Sequence, residues 1–241
     1  MSHAKNVESY SRLVDICTGY GGTYNPGRQT LQLKAMRALL KEAQSSLQHV
    51  SLKRNALSIA TDDREQEFKA LHQLVSRIIG TMKASQVPSG RLAHAYYYSR
   101  LINGYREGKE RLPVPSEDSE DESLTTRSVN QMSFVARAHN FLRFAQLVME
   151  LPSYQTHSND LQPSALLEKA EELKGLNENW SKAKVALSNA RIHRNKVLYQ
   201  GVDAVLSNAT AVKSYVRVEF GNRSQESVQL KEVSFTKPRI R

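Results

Sequence analysis

Apolar residues recur at alternating spacings of three and four over two long stretches of the chain, the period of a helix that buries a narrow stripe. In the later stretch, from roughly 163 to 200, the a and d positions of one heptad register are Leu166, Lys169, Leu173, Leu176, Trp180, Ala183, Leu187, Ala190, Arg194 and Val197. A helix of that length reaches ~57 Å at 1.5 Å per residue. The earlier stretch carries Met36, Leu39, Ala43, Val50, Leu57, Ala60, Arg64, Leu71 and Leu74 in the same register, with Ser46, Lys53 and Glu67 as polar interruptions. Each is preceded by a shorter apolar segment and a turn rich in helix punctuation: Leu13 to Cys17 and then Gly19 to Gly27, and Phe134 to Leu151 and then Pro152 to Asp160. A further helical run follows each, Phe68 to Ala84 and Val202 to about Val218, with Gly201 marking a kink in the second.

The two stretches are related. Shifting the sequence by 130 positions aligns thirteen identities: Tyr24/Tyr154, Leu31/Leu161, Gln32/Gln162, Ala35/Ala165, Glu42/Glu172, Ser51/Ser181, Ala56/Ala186, Leu57/Leu187, Ser58/Ser188, Ala60/Ala190, Arg64/Arg194, Val75/Val205 and Lys83/Lys213. The expected fold is therefore all-α, two tandem copies of a short-long-medium three-helix unit that form bundles, standing separately or docked into one six-helix body. The expected organisation is a first bundle over 1–112, an acidic flexible linker over 113–127, and a second bundle with a basic tail over 128–241. Near the end, Val216, Val218 and Phe220 alternate with Arg217 and Glu219, and Val228, Leu230, Val233 and Phe235 follow a polar turn. That pattern admits a small C-terminal β-hairpin.

Composition agrees with helices: aromatic residues are 7% of the 241 residues, and glycine and proline together number only 18. The one cysteine, Cys17, forms no intramolecular disulfide. The first residues lead into no apolar run of the kind a secretion signal needs, and no stretch is apolar enough for a membrane span, so a cytoplasmic protein is expected. Charge refines this picture. The net charge of +10 divides into +8 for 1–112, −4 for 113–127 and +6 for 128–241. Both halves would attract polyanions, though basic balance also serves solubility alone.

Catalytic chemistry has little to rest on. The seven histidines include no pair spaced three or four apart, and no Glu-x-x-His occurs, so no metal site or other cofactor is expected. Cys17, among Leu13, Val14 and Ile16, reads as a buried apolar residue, and Gly19 to Gly22 lacks the context of a phosphate-cradling loop. Arg64 and Arg194 stand out as repeat-equivalent arginines at an a position of an apolar seam. Each is expected to find a carboxylate, a backbone carbonyl or water, fixing helix register, or else to belong to a pocket or partner surface. Candidate polyanion-binding residues are Arg54, Lys182, Lys184, Arg191 and Lys196 on the long helices, with Lys53 beside them, and Arg91, Tyr97 and Arg100 in a tyrosine- and arginine-rich segment running to Arg111. A solvated helix face and a tyrosine-rich packing helix explain the same residues without a ligand. The linker, Pro113 to Ser123 with five acidic residues, reads as a solvated spacer or as a segment that folds back on a basic face.

At Val129 to Phe134, Pro152 to Tyr154, Leu187 to Tyr199 and Val212 to Val216 the sequence resembles an uncharacterised family of all-helical proteins of Bacteroidota, most distinctively at Leu187-Ser188-Asn189-Ala190-Arg191. The resemblance implies a bacterial protein with duplicated helical units and brings no activity with it. The function expected is that of a non-enzymatic interaction or scaffolding protein that presents helix faces to a protein partner or to its own copies. The alternative is a basic protein associated with nucleic acid or the ribosome.

Overall fold

The structure, a computed structural model, describes residues 2–104 and 133–236. All regular structure among them is helical: α1 (Ser2–Gly19), α2 (Leu33–Ala84), α3 (Ser89–Asn103), α4 (Phe134–Met149), α5 (Pro163–Tyr199), α6 (Val205–Phe220) and α7 (Gln225–Lys231). The linker 113–127 and the tail beyond Thr236 lie outside the described residues.

The heptad pattern accounts for the two long helices. Met36, Ala43, Val50, Leu71, Leu166, Leu173, Leu187, Ala190 and Val197 are buried, and every other a or d position named above is at least partly covered. The segments that lead into α2 and α5 are built alike. In each a single 3₁₀ turn, Gln29–Leu31 or Asn159–Leu161, precedes the helix, and a buried tyrosine hydroxyl donates to the leucine carbonyl that closes it: Tyr24 to Leu31 at 2.8 Å and Tyr154 to Leu161 at 3.0 Å. The short helices before them bury matching positions as well, Val7, Tyr10, Leu13, Val14 and Cys17 in α1 against Ala138, Phe141, Phe144, Ala145 and Val148 in α4, a spacing of 131. Ser133 caps α4 by accepting from Ala136 N–H at 3.1 Å, a contact worth about 1 kcal/mol.

The described chain forms two compact units, Met1–Leu57 with Ala183–Arg241, and Ser58–Lys182. This division differs from the expected halves 1–112 and 128–241: the boundary falls inside α2 and inside α5, so each unit joins one end of α2 to the opposite end of α5. In the first unit Met36 and Ala43 of α2 share a core with Val197 and Leu198 at the end of α5, and Val50 packs with Leu187 and Ala190. Rising numbers on one helix meet falling numbers on the other, so the pair is antiparallel. Tyr10, Leu13 and Val14 of α1, Val205, Val212 and Val216 of α6, and Leu230 of α7 complete that core. In the second unit Thr61 meets Trp180 and Glu67 meets Lys169, again antiparallel, and Phe141 and Phe144 of α4 pack with Phe68, Val75 and Ile78 of α2 and Ala95 and Ile102 of α3.

Two expectations are corrected. The β-hairpin is absent, and no strand occurs among the described residues: the alternation from Val216 to Phe220 lies on α6, where Val216 is buried and Val218 is 85% exposed. On a strand both would share a face; on a helix Val216 continues the i, i+4 row Val205, Ala209, Val212 and turns Val218 to solvent. The medium helices also differ between the halves. Phe68 to Ala84 is the unbroken continuation of α2, whereas α5 stops at Tyr199 and Gly201, at φ +105°, supplies a backbone turn that other residues adopt only under strain before α6 begins.

Val216→Asp is therefore expected to unfold the protein or cost at least about 3 kcal/mol, by burying an unpaired carboxylate. Val218→Asp is expected to stay within about 0.5 kcal/mol of wild type. Urea titrations followed by circular dichroism distinguish this from a hairpin, in which both substitutions would behave alike.

Candidate functional site

The seam between α2 and α5 holds its most unusual polar residues in two places, one in each unit. In the unit 58–182, Arg64 is 8% exposed, and its guanidinium lies between two rings, 4.2 Å from the centroid of Phe134 and 4.0 Å from that of Trp180. The indole N–H of Trp180 donates to the Thr61 hydroxyl at 3.1 Å, one turn back on α2. On the far side of Phe134 stands Arg137, which donates to the Ile102 and Phe68 carbonyls at 2.7 and 2.9 Å. Arg64 is held by aromatic faces, and its buried Nε has no hydrogen-bond partner among the described residues. Burial holds both guanidinium groups below their usual value, and each stays cationic. This stack is a packing device that uses the flat faces of arginine.

Arg194, in the other unit, has different surroundings. Its Nε and a terminal nitrogen donate to the Asn195 side-chain oxygen at 3.1 and 2.7 Å, a neutral acceptor. Burial, and then the like charges of Arg191 and Arg54, depress its pKa, partly offset by Tyr199. His3 of α1, joined to the Tyr199 hydroxyl at 2.7 Å, is held below the usual imidazole range by burial, by Arg194 and by the N-terminus. The charges of Arg54 and Arg191 thus reach Arg194 where α2 and α5 pair. The segments that supply them, 43–57 and 183–202, contain Lys53, Arg54, Lys184, Arg191, Arg194 and Lys196 and no aspartate or glutamate.

Their placement follows from the heptad. Counting from Val50 and Leu187 as a positions, Arg54 and Arg191 fall at e, and so does Lys184 one heptad earlier. In a parallel pair e flanks g of the partner; turning one helix round brings e beside e. Arg54, Lys184 and Arg191 therefore share one flank of the seam, and all three are exposed. The b positions next to them are Ser51, Ser188 and Asn195. Lys196, also exposed, sits at c on the other flank. Lys182 is exposed on the same helix but belongs to the other unit.

The tyrosine- and arginine-rich segment is not gathered in the same way. Its described part is α3, which packs on α4 through Ala95 and Ile102. Arg91 and Arg100 are exposed but nine residues apart, two and a half turns, and so leave opposite sides of the helix. Tyr97 is 51% exposed, with its ring against Tyr98 at 5.7 Å. Tyr105 to Arg111 lie outside the described residues.

Cys17 is fully buried, and burial pushes its thiol up to about 12, the opposite of what a nucleophile requires. No group of three His, Cys, Asp or Glu residues among the described residues is placed to hold a metal ion, and no described helix is long and apolar enough to cross a membrane. No protein-family model matches the chain, and no curated protein or solved structure matches it.

The arginine stack is open to direct measurement. Arg64→Ala is expected to cost about 2 kcal/mol, the upper range for a desolvated cation over aromatic rings. Arg64→Met is expected to cost less than about 1 kcal/mol, because a flexible apolar stem refills the slot with no charge to desolvate. Urea unfolding followed through Trp180, the chain's one tryptophan, reads both.

Alkaline pH tests the buried acids. Burial raises the Cys17 thiol from 9.0 to about 12 and lifts the Tyr10 and Tyr24 hydroxyls above their ordinary 10.0. Groups that hold protons more tightly when folded contribute stability that is fully present below their unfolded pKa and lost as pH rises towards the folded value. The urea midpoint is expected to hold level up to about pH 8.5 and to fall above it. Cys17→Ala is expected to remove the part of the fall that begins first.

Proposed function

We propose that the protein is a non-enzymatic interaction or scaffolding protein, made of two copies of one helical unit, that works by presenting the outer faces of its long helices to another helix, a second copy of itself foremost. The observation that carries this reading is a set of apolar residues on the outside of the pair. Val185 and Ile192, seven residues apart on α5, are 56% and 61% exposed, and Leu52 and Ile59, seven apart on α2, are 60% and 61% exposed. Isolated exposed apolar residues are ordinary in soluble proteins. A heptad spacing repeated on both long helices is the pattern that a further helix reads.

The duplication draws support from the matched Tyr24 and Tyr154 hydrogen bonds, the paired 3₁₀ turns and the burial pattern shared by α1 and α4. On this reading the extra residue lies in the first copy, in the turn between the short and long helices, since the spacing is 131 before that turn and 130 after it.

Sedimentation across a concentration series, with Val185→Glu/Ile192→Glu as the matched variant, tests the proposal. Concentration-dependent association that the double variant abolishes is the expected result. A wild-type chain that stays monomeric, and that binds no protein sensitive to the same double substitution, would overturn it.

A further inference from the structure

We infer that the e and b flank of the α2 and α5 seam, within 43–57 and 183–202, is a sequence-independent binding face for the phosphate backbone of nucleic acid. The cations at e differ from the apolar residues at c and f, so the inference does not require self-association.

Charge is the first ground. Outside these segments acidic residues are close at hand on the same helices: Asp62, Asp63, Glu65 and Glu67 follow on α2, and Glu168, Glu171, Glu172 and Glu178 precede on α5. Within them there is none, so Arg54, Arg191 and Arg194 have no carboxylate beside them on their own stretches of helix. Burial is the first cause of the depressed Arg194 value, and the like charges of Arg191 and Arg54 add to that cost. A polyanion relieves that cost by bringing negative charge to all of them at once, and it releases its condensed counterions as it does so.

Geometry is the second. Lys184 and Arg191 stand one heptad apart, ~10.5 Å along α5 at 1.5 Å per residue. Arg54 faces the same flank from α2, so the cations form a strip rather than a point. Phosphates follow one another at about 3.4 Å of axis per strand in a duplex, which lets one strand meet the strip several times. Guanidinium groups suit this contact because their planar fork grips phosphate through two parallel bonds. Ser51, Ser188 and Asn195, at the b positions between and beside the cations, are short hydrogen-bonding side chains of the kind that contact phosphate and sugar without reading bases. Ser188 and Asn195 stand between the cations and the exposed Val185 and Ile192 at f, and that pair is two separate residues rather than the continuous apolar face by which a membrane-surface helix enters lipid.

The test measures fluorescence anisotropy of a labelled, mixed-sequence DNA duplex between 50 and 200 mM salt. Three proteins are compared: the full chain, its Arg54→Gln/Arg191→Gln variant, and a control, Lys69→Gln/Arg143→Gln, that removes the same charge from exposed positions elsewhere. Wild type is expected to bind with an affinity that falls steeply with salt. The flank variant is expected to bind on the order of tenfold or more weakly at 0.1 M salt, with a slope shallower by about 1.8, about 0.9 for each lost phosphate contact. The control should track wild type, and circular dichroism of all three should superimpose. Equal slopes for wild type and flank variant would overturn the inference. So would equal losses in flank and control variants, which would mean net charge alone is acting, or capture by phosphatidylserine vesicles without capture of DNA. A neutral Val185→Gln/Ile192→Gln variant, which removes the apolar pair without placing carboxylates beside Lys184 and Arg191, should still bind DNA, so failure here and failure of the association experiment are separate results.

Discussion

The constraint on which this protein depends is the narrowness of the apolar stripe on its two long helices. A stripe confined to a and d positions covers one side of a partner helix and no more, so α2 and α5 must pair along their seams, and the remaining helices cover what that pairing leaves. In the unit 58–182 the phenylalanines of α4 and the inner face of α3 do so; in the other unit α1, α6 and α7 do. Antiparallel pairing also explains why the compact units do not follow the sequence halves. Each end of α2 meets the opposite end of α5, and the short helices attached to those ends go with them.

Polar residues in a seam this thin are accommodated in distinct ways. Glu67 and Lys169, both at d positions, meet as an ion pair, with Glu172 a second acceptor for the same lysine. Ser46 turns its hydroxyl back to the Ala43 carbonyl at 2.7 Å. Arg64 lies between Phe134 and Trp180. A slip of the helices past one another would separate Glu67 from Lys169 and Arg64 from Trp180 together, so residues that weaken the seam as hydrophobic surface fix its register. Arg194, 130 residues further on, leans on Asn195 and lies where the charges of Arg54 and Arg191 reach it. Arg64 thus serves packing in one unit, whereas Arg194 stands among like charges in the other.

Much of this was legible in the residues. The heptad register predicted α2 and α5 and which of their positions would turn inward, and the identity of Tyr24 with Tyr154 and Leu31 with Leu161 marked two turns that prove to be built alike. Cys17 among apolar neighbours was readable as core. The misreadings have physical causes. Val216, Val218 and Phe220 alternate as a strand would, and only the row from Val205 to Val216, closed against α1, decides for a helix. The likeness of α1 and α4 escaped comparison at a fixed offset because their buried positions stand 131 apart and share few identities. Arg91 and Arg100 are near in sequence, and how they are spread depends on α3, which sends residues nine apart to opposite sides.

What the sequence determined alone is local: helix, the seven-residue stripe, the turns that begin the long helices, and the lack of acidic residues over 43–57 and 183–202. These follow from propensity and periodicity, which act within a few turns of chain. Tertiary structure decided everything that depends on which side of one helix faces which side of another. It set Phe134 and Trp180 against Arg64, joined Glu67 to Lys169, and brought Arg54 beside Arg191 and Arg194 across more than a hundred residues of chain. The direction in which α2 and α5 run past each other is a property of the pair. No residue on either helix encodes it singly, and it is what turns two basic stretches into one face.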